Sequence, residues 1–160
     1  MKPLNEKLVM TQEDKELLLK DLCARLPYEI KGIRIYKPEE VVTLNEIIPR
    51  CKMNPNIGNG LFCELGFDKI SDFCTITEFK PYLFPMSSMT DTEQEELTQE
   101  HRKDEMLYVE CLTRTAKGDN SMRGKVITHY AMDWCNKNHF DYRGLIEKGL
   151  AIDATGLNIY

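Results

Sequence analysis

The chain has 160 residues, of which 42% are hydrophobic and 29% are charged, and its formal net charge is −5. This composition is typical of one soluble globular domain. No apolar run reaches the roughly 18 to 20 residues of a membrane-spanning helix, and no basic excess is present to neutralise nucleic-acid phosphates. The opening MKPLNEKLVM also lacks the apolar core of a secretory signal. We therefore expect a cytoplasmic protein that binds neither a membrane nor, as its main partner, nucleic acid.

Acidic residues are concentrated in one segment. Residues 91–105 contain seven acids and two bases, a net charge of −5 that equals the imbalance of the whole chain. Such a surface favours association with a basic partner, or with a host enzyme that normally binds nucleic acid. The six cysteines include no CxxC pair, so we predict buried free thiols rather than disulfides.

Residues 1–10 are predicted to form a loosely docked arm, and a first helix follows. Thr11 is a candidate N-cap, and the acidic residues that follow it in the chain complement the positive end of a helix. Leu18 and Leu22 then recur on one face, and Pro27 cannot continue a helix. The segment between the cap and the proline is therefore predicted to be helical.

Alternating and β-branched residues dominate the next part of the chain. Ile33 and Ile35 alternate with Arg34 and Tyr36, which is the period-2 pattern of a strand. Four strands are predicted, at 29–37, 41–48, 61–67 and 72–79, with a turn at 37–40 and a loop at 49–60. Short strands joined by close turns indicate a small antiparallel meander.

The segment KPYLFPMSSMT, residues 80–90, is predicted to connect the sheet to the helices. Its two prolines argue against a continuous helix. Its apolar residues fit either a strap that closes the sheet or an exposed, adaptable patch. Thr90 and Glu93 then form the capping box of an acidic helix, whose first half is predicted to project into solvent.

Residues 126–152 carry the clearest helical periodicity. Apolar residues repeat at i, i+4 and i+8 from Val126 to Trp134. Trp134 is the only tryptophan and is predicted to anchor the core. A further helix is predicted directly afterwards, with Asp141 as its N-cap. Gly149 is predicted to end this helix in a Schellman motif.

Together these elements predict one α+β domain spanning residues 1–160. It contains an N-terminal helix, a small antiparallel sheet of about four strands in residues 29–79, and three C-terminal helices packed on that sheet. No internal repeat or low-complexity segment indicates a second domain.

Three segments resemble an uncharacterised family of small proteins from gut Bacteroidales and their phages or prophages. They are KELLLKDLCARLPY, KPYLFPMSSMT and HFDYRGLIEKGLA. The resemblance covers about a third of the chain and implies a bacterial or phage cytoplasmic setting. Because the family has no established activity, the resemblance assigns no catalytic residue.

Candidate chemical groups are few. His129 and Asp133 stand at i and i+4, which places two metal ligands on one helix face, but a simple His–Asp hydrogen bond explains the pair as well. Cys135 and His139 have the same spacing, yet no glycine-rich turn activates a cysteine. We predict no catalytic residue, no cofactor and no metal site, with His129 and Asp133 as the alternative metal pair.

The connector and the turn after the tryptophan helix provide the candidate interaction patch, because interfaces favour tyrosine, arginine and adaptable methionine. This predicted patch contains Tyr82, Phe84, Met86, Met89, Tyr142 and Arg143. The predicted function is a non-enzymatic protein-interaction or accessory module with an unidentified, basic protein partner. A homodimer through the patch is a further prediction. The alternative function is a small hydrolase-like enzyme with a pocket between sheet and helices that uses His129, Asp133 or His139.

Overall fold

The fold is taken from a computed structural model, which describes residues 10–51, 61–67, 70–103 and 129–160. Most of the predicted arm at 1–10, most of the loop at 49–60 and the start of the helix predicted from Val126 lie outside these ranges. Within them, no helix combines the length and the apolar character needed to cross a membrane.

The first helix, α1 (Gln12–Arg25), begins where the sequence predicts. Thr11 caps it, because the Thr11 hydroxyl oxygen accepts a hydrogen bond of 3.1 Å from the backbone N–H of Asp14, which satisfies a donor that the helix leaves free. Leu18 and Leu22 are fully buried. Helix α1 therefore covers the sheet with the face that its leucine spacing predicts.

Seven strands form a mixed, curled sheet with the order β4-β3-β2-β1-β5-β6, and β7 pairs separately with β5. Strands β1 to β5 pair antiparallel, whereas β6 and β7 run parallel to β5. Register shifts interrupt three of the antiparallel ladders, and such bulges bend strands. The strands are β1 (Ile30–Arg34), β2 (Lys37–Cys51), β3 (Leu61–Phe67), β4 (Ile70–Thr75), β5 (Phe79–Pro85), β6 (Phe140–Asp141) and β7 (Ile152–Asp153).

The prediction of about four strands within residues 29–79 is wrong. The predicted connector contains β5, a strand inside the sheet, and β6 and β7 come from the C-terminal part of the chain. Pro81 is tolerated in β5 because the β5 residues whose backbone groups bond to β1 are the even-numbered ones. The bond of 2.9 Å from the Ile35 N–H to the Glu78 carbonyl sets this alternation. The missing N–H of Pro81 therefore faces away from β1.

The turn between the first two strands also differs from the prediction. Arg34 pairs with Lys37, so the turn lies at Ile35 and Tyr36 and β2 begins at the residue where a turn was predicted. Arg34 is fully buried and forms an ion pair with Glu40. That ion pair favours extended backbone at residues 37–40, whereas Pro38 had indicated a turn there.

The prediction of three C-terminal helices is wrong as well. The described residues contain two, α2 (Asp91–Arg102) and α3 (His129–Lys137). Residues 141–149 form turns instead of a helix because Gly144 has a left-handed φ of 74°, which interrupts helical bonding. The predicted Schellman bonds are nevertheless present, from the Leu150 N–H to the Leu145 carbonyl at 2.9 Å and from the Gly149 N–H to the Ile146 carbonyl at 3.0 Å.

The apolar core lies on two faces of the sheet. On the first face, α1 packs against the strands, and the buried residues include Leu18, Leu22, Ile30, Leu44, Leu65, Phe79 and Leu83. On the second face, Ile33, Tyr82 and Ala154 form a smaller cluster with the half-buried Phe84, Ile152 and Ile159. Segment 154–160 therefore covers part of the second face without forming a helix or a strand.

Candidate interaction surface

A partly exposed apolar surface lies where the end of β5 meets α2 and α3. Its half-buried side chains are Phe84, Met86, Leu97, Met132 and Trp134, and they rest on a buried base of Met89, Cys135, Phe140 and Tyr142. We call these five half-buried residues the methionine patch. Flexible thioether and aromatic groups at one surface suit adaptable contacts with another protein.

Aromatic stacking fixes the patch. The rings of Trp134 and Phe140 are stacked, with centroids 5.6 Å apart and an interplanar angle of 8°. Phe84 meets Phe140 in a tilted arrangement at 5.9 Å, and its backbone N–H donates a 2.9 Å hydrogen bond to the carbonyl of His139. The position of Phe84 is therefore set by both its ring and its backbone.

Helix α2 carries both a residue of the methionine patch and several exposed carboxylates. Leu97 packs from this helix into the patch, and the predicted capping box is present, with Thr90 Oγ1 accepting from the Glu93 N–H and Glu93 accepting from the Thr90 N–H. Asp91, Glu95 and Glu96 are exposed, and no described residue forms an ion pair with them. The helix that supplies Leu97 to the patch therefore also carries three exposed carboxylates that are free to meet a cation.

A buried arginine of α1 holds α3 against α1 beneath the patch. Arg25 and Asp21 are fully buried, and Arg25 donates to both carboxylate oxygens, at 2.8 and 3.1 Å. Its remaining N–H groups donate to the carbonyls of Cys135 and Phe140, at 3.2 and 2.7 Å. One guanidinium therefore ties α1 to the end of α3 and to β6.

A second arginine joins this pair. Arg143 Nε lies 3.2 Å from the Asp21 carboxylate, and the guanidinium carbons of Arg25 and Arg143 lie 5.6 and 4.7 Å from the ring centroid of Tyr142. Burial raises the pKa of the Tyr142 hydroxyl. Asp141, predicted as the N-cap of a helix, instead accepts from the backbone N–H groups of Leu145 and Ile146 within the turns that replace that helix.

The structure brings together four of the six residues in the predicted patch. Phe84 and Met86 are half-exposed on the surface, whereas Met89 and Tyr142 are buried in its base. Tyr82 lies in the second-face cluster, and Arg143 contacts the Tyr142 ring. A role for any of them in binding stays a prediction.

Sequence reasoning missed Leu97, Met132 and Trp134 as members of the surface. It placed Trp134 in the core, whereas the side chain is only half-buried. Ala131 and Cys135 are the buried apolar positions of α3. Met132 and Trp134 flank that i, i+4 pair on either side, a position that favours partial exposure.

The two candidate metal ligands, His129 and Asp133, contact tyrosines. Asp133 accepts a hydrogen bond of 2.6 Å from the hydroxyl of Tyr28, and His129 stacks on Tyr130 with ring centroids 4.5 Å apart. Among the residues that the structure describes, no group of three or more His, Cys, Asp or Glu side chains is placed to hold a metal ion.

The described buried thiols are protonated at neutral pH. Burial raises the pKa of Cys74 to about 12 and that of Cys135 to about 12. A nucleophilic cysteine requires a lowered pKa and access to solvent. These two thiols therefore act as small apolar groups, and both are free, as predicted.

His139 has an unusual environment next to the methionine patch. It is the only described non-glycine residue with positive φ, at 61°, and its ring stacks on Tyr160 with centroids 3.7 Å apart. Burial, together with the nearby cations Arg25 and Lys31, lowers the pKa of the imidazole to about 4. His139 is therefore neutral at physiological pH.

Comparison with known proteins adds no assignment, since no family matches the chain and no curated protein or solved structure is significantly similar to it. The resemblance to the Bacteroidales and phage family therefore stays a prediction.

Proposed function

We propose that the chain is a non-enzymatic protein-interaction module that binds a basic, amphipathic segment of a partner protein. The methionine patch receives the apolar side chains of that segment, and the carboxylates of α2 receive its lysines or arginines. From the resemblance described above, we further propose a bacterial or phage protein that acts in the cytoplasm.

One observation carries this proposal, namely that the methionine patch has five half-buried apolar side chains and that α2, which supplies one of them, also carries three exposed carboxylates. Interface centres are apolar, and complementary charge at the rim speeds and orients association. The geometry therefore fits a ligand with an apolar stripe and a positively charged flank.

The charge of α2 also favours a different protein over a second copy. In a symmetric homodimer the same patch meets itself, so two acidic helices approach each other at the rim. Like charges at a rim disfavour that arrangement. Light scattering on the natural chain and on Phe84→Glu tests the homodimer, and a monomer in both samples removes that alternative.

The enzyme alternative receives less support from the described residues. The thiols of Cys74 and Cys135 are protonated, and Asp133 is bonded to Tyr28. His139 is neutral, and its ring lies against Tyr160. A nucleophile and a general base within hydrogen-bond reach, which acyl-transfer chemistry needs, are not paired among these groups.

Titration with a basic amphipathic helix tests the proposal directly. Trp134 is the only tryptophan and belongs to the methionine patch, so its fluorescence reports occupancy without a label. A synthetic peptide of leucine and lysine at helical spacing is expected to shift the emission to shorter wavelength. Binding is expected to weaken as salt rises, because salt screens the rim charges.

Matched variants separate specific from general effects. Glu95→Gln with Glu96→Gln removes two of the α2 charges and is expected to weaken binding by at most about thirtyfold, from pairs worth up to about 1 kcal/mol each. Glu13→Gln with Glu39→Gln removes two exposed charges elsewhere and should leave binding unchanged. The proposal is wrong if the peptide fails to bind, or if a glutamate–leucine peptide binds equally well.

A further inference from the structure

The hydroxyl of Tyr160 is inserted between two strands of the sheet. The backbone N–H of Lys31 in β1 donates to this hydroxyl at 3.1 Å, and the hydroxyl donates to the carbonyl of Tyr82 in β5 at 3.0 Å. Although 38% of Tyr160 is exposed, burial of the hydroxyl end raises its pKa to about 12. The side chain therefore enters the sheet while the rest of the residue stays at the surface.

The inserted hydroxyl occupies the next step of the β1–β5 ladder. Ile33 pairs with Lys80 and Gly32 with Pro81. Continuing that register by one residue places Lys31 opposite Tyr82, yet the ladder stops before them. Tyr160 thus separates two backbone groups that the strand register would otherwise bring together.

Few contacts hold the rest of segment 154–160. The Ala154 N–H donates to the carbonyl of Leu83 at 2.9 Å, and Lys31 Nζ donates to the carbonyl of Ile159 at 2.9 Å. Ala154 and Ile159 pack on the second face, whereas residues 155–158 are exposed. The segment lies across the sheet as a strap.

Phe84 connects this strap to the methionine patch. It is the described side chain that packs against both the patch cluster and the second-face cluster. Its ring lies 6.1 Å from that of Tyr160. Removing Tyr160 therefore uncovers a further side of Phe84 and also frees the His139 ring.

We propose that segment 154–160 is a releasable strap, and that a partner segment bound at the methionine patch favours its release from the groove between Lys31, Tyr82 and His139. This inference rests on the proposed function, because it assigns regulation to the same surface. The strap competes with the partner for the side of Phe84 that Tyr160 covers.

Withdrawal of the Tyr160 hydroxyl costs the sheet little in hydrogen bonding. When the Tyr160 hydroxyl leaves, the N–H of Lys31 and the carbonyl of Tyr82 lie in register to bond to each other, so these two backbone groups stay satisfied. Two alternative arrangements of one ladder form a two-state element of the kind that couples binding to conformation. A minor open state of roughly 1 to 10% lowers apparent affinity by roughly 10- to 100-fold.

The basic peptide and two strap variants test this coupling. Tyr160→Ala removes both the ring and the hydroxyl and is expected to tighten peptide binding by roughly 10-fold or more. Tyr160→Phe keeps the ring but loses the inserted hydroxyl, and an intermediate gain is expected from it, which also guards against a folding defect in the alanine variant. Leu157→Ala is the matched control, since Leu157 is 46% exposed in the same segment.

Histidine NMR follows the strap independently of affinity. In the closed state the pKa of His139 is lowered to about 4, and release should return it towards its ordinary value, about 6.5. Saturating peptide is expected to raise the pKa of His139 in the natural chain. The inference is overturned if the peptide binds all variants equally and the His139 resonance does not move. If no variant binds the peptide, the proposed function fails, and the strap regulation fails with it.

Discussion

The two faces of the sheet are covered in different ways. Helix α1 covers the first face, where Leu18 and Leu22 are fully buried and Arg25 uses its donors on Asp21 and two carbonyls. Segment 154–160 covers part of the second face through a stacked histidine, an inserted hydroxyl and few backbone bonds. The leucines of α1 are part of the first-face core, whereas segment 154–160 is held on the sheet by these few contacts.

This difference predicts that the two faces of the sheet open in different ways. A face closed by a packed helix and a buried ion pair opens only with global unfolding, whereas a face closed by a short irregular segment opens locally. We therefore expect mutations to affect folding most on the first face and binding most near the second.

The largest effect is expected from Asp21→Asn. The substitution keeps the shape of the side chain but leaves Arg25 and the partly buried Arg143 without their shared anion, which should cost about 3 to 5 kcal/mol. Urea unfolding followed by circular dichroism measures the change. Glu16→Gln, an exposed position on the same helix, is the control, and a similar loss in both variants would contradict the special role of the first-face ion pair.

A pH-dependent effect is expected from His139, which the strap covers. Its pKa is lowered to about 4 when folded, so between about pH 6.5 and 4 the unfolded chain binds a proton that the folded chain does not. Stability is therefore full above about pH 6.5 and falls as the pH drops, by about 3 kcal/mol in total, until the loss levels off below pH 4.

His139→Asn isolates that contribution, because asparagine tolerates the left-handed backbone. Urea midpoints measured from pH 7 to pH 4 should lose this component of the slope in His139→Asn and keep it in His129→Asn, which changes an exposed histidine. Equal slopes in the natural chain and both variants would show that the strap does not enclose His139.

A smaller effect is expected from Gly32→Ala, at the contact between β1 and β5 that both faces share. An added Cβ would lie 2.5 Å from Phe79 Cζ and even closer to the Lys80 carbonyl oxygen, so the strands must separate at a cost of about 1 to 3 kcal/mol. Thermal unfolding measures it. Gly66→Ala is the control, because its Cβ meets the exposed side chain of Glu46, which can rotate away.

The smallest effect is expected from Thr11→Ala, which removes the cap of the helix on the first face. Loss of the bond to the Asp14 N–H should cost about 1 kcal/mol, while Thr11→Ser should keep most of the stability. Chemical denaturation of both variants provides the comparison. If serine and alanine behaved alike, the cap would not contribute to the cover of the first face.

Local signals in the sequence predicted local features. The Thr11 cap, the Thr90–Glu93 capping box and the Schellman bonds at Gly149 are each encoded within a few residues and are present. The strand at 61–67 was also predicted with its observed bounds. Periodicity and capping chemistry act over one or two turns, which is why single sequences reveal them.

Features that depend on distant residues were not predictable. β5 is a strand because β1, β6 and β7 pair with it, and its prolines gave the opposite indication. Gly144 interrupts a segment that has helical spacing. The candidate surface was predicted only in part, because Leu97, Met132 and Trp134 join Phe84 and Met86 through tertiary packing, which no local pattern specifies.

The parallel pairing of β5 has a consequence for how the protein is made. On the ribosome, β5 emerges long before residues 140 and 152, which supply its two parallel neighbours. Until those residues are synthesised, the backbone groups of Leu83 and Phe84 lack their parallel partners. An unpaired strand edge promotes association between nascent chains. The time taken to translate the intervening segment therefore sets how long this edge of β5 stays open to association.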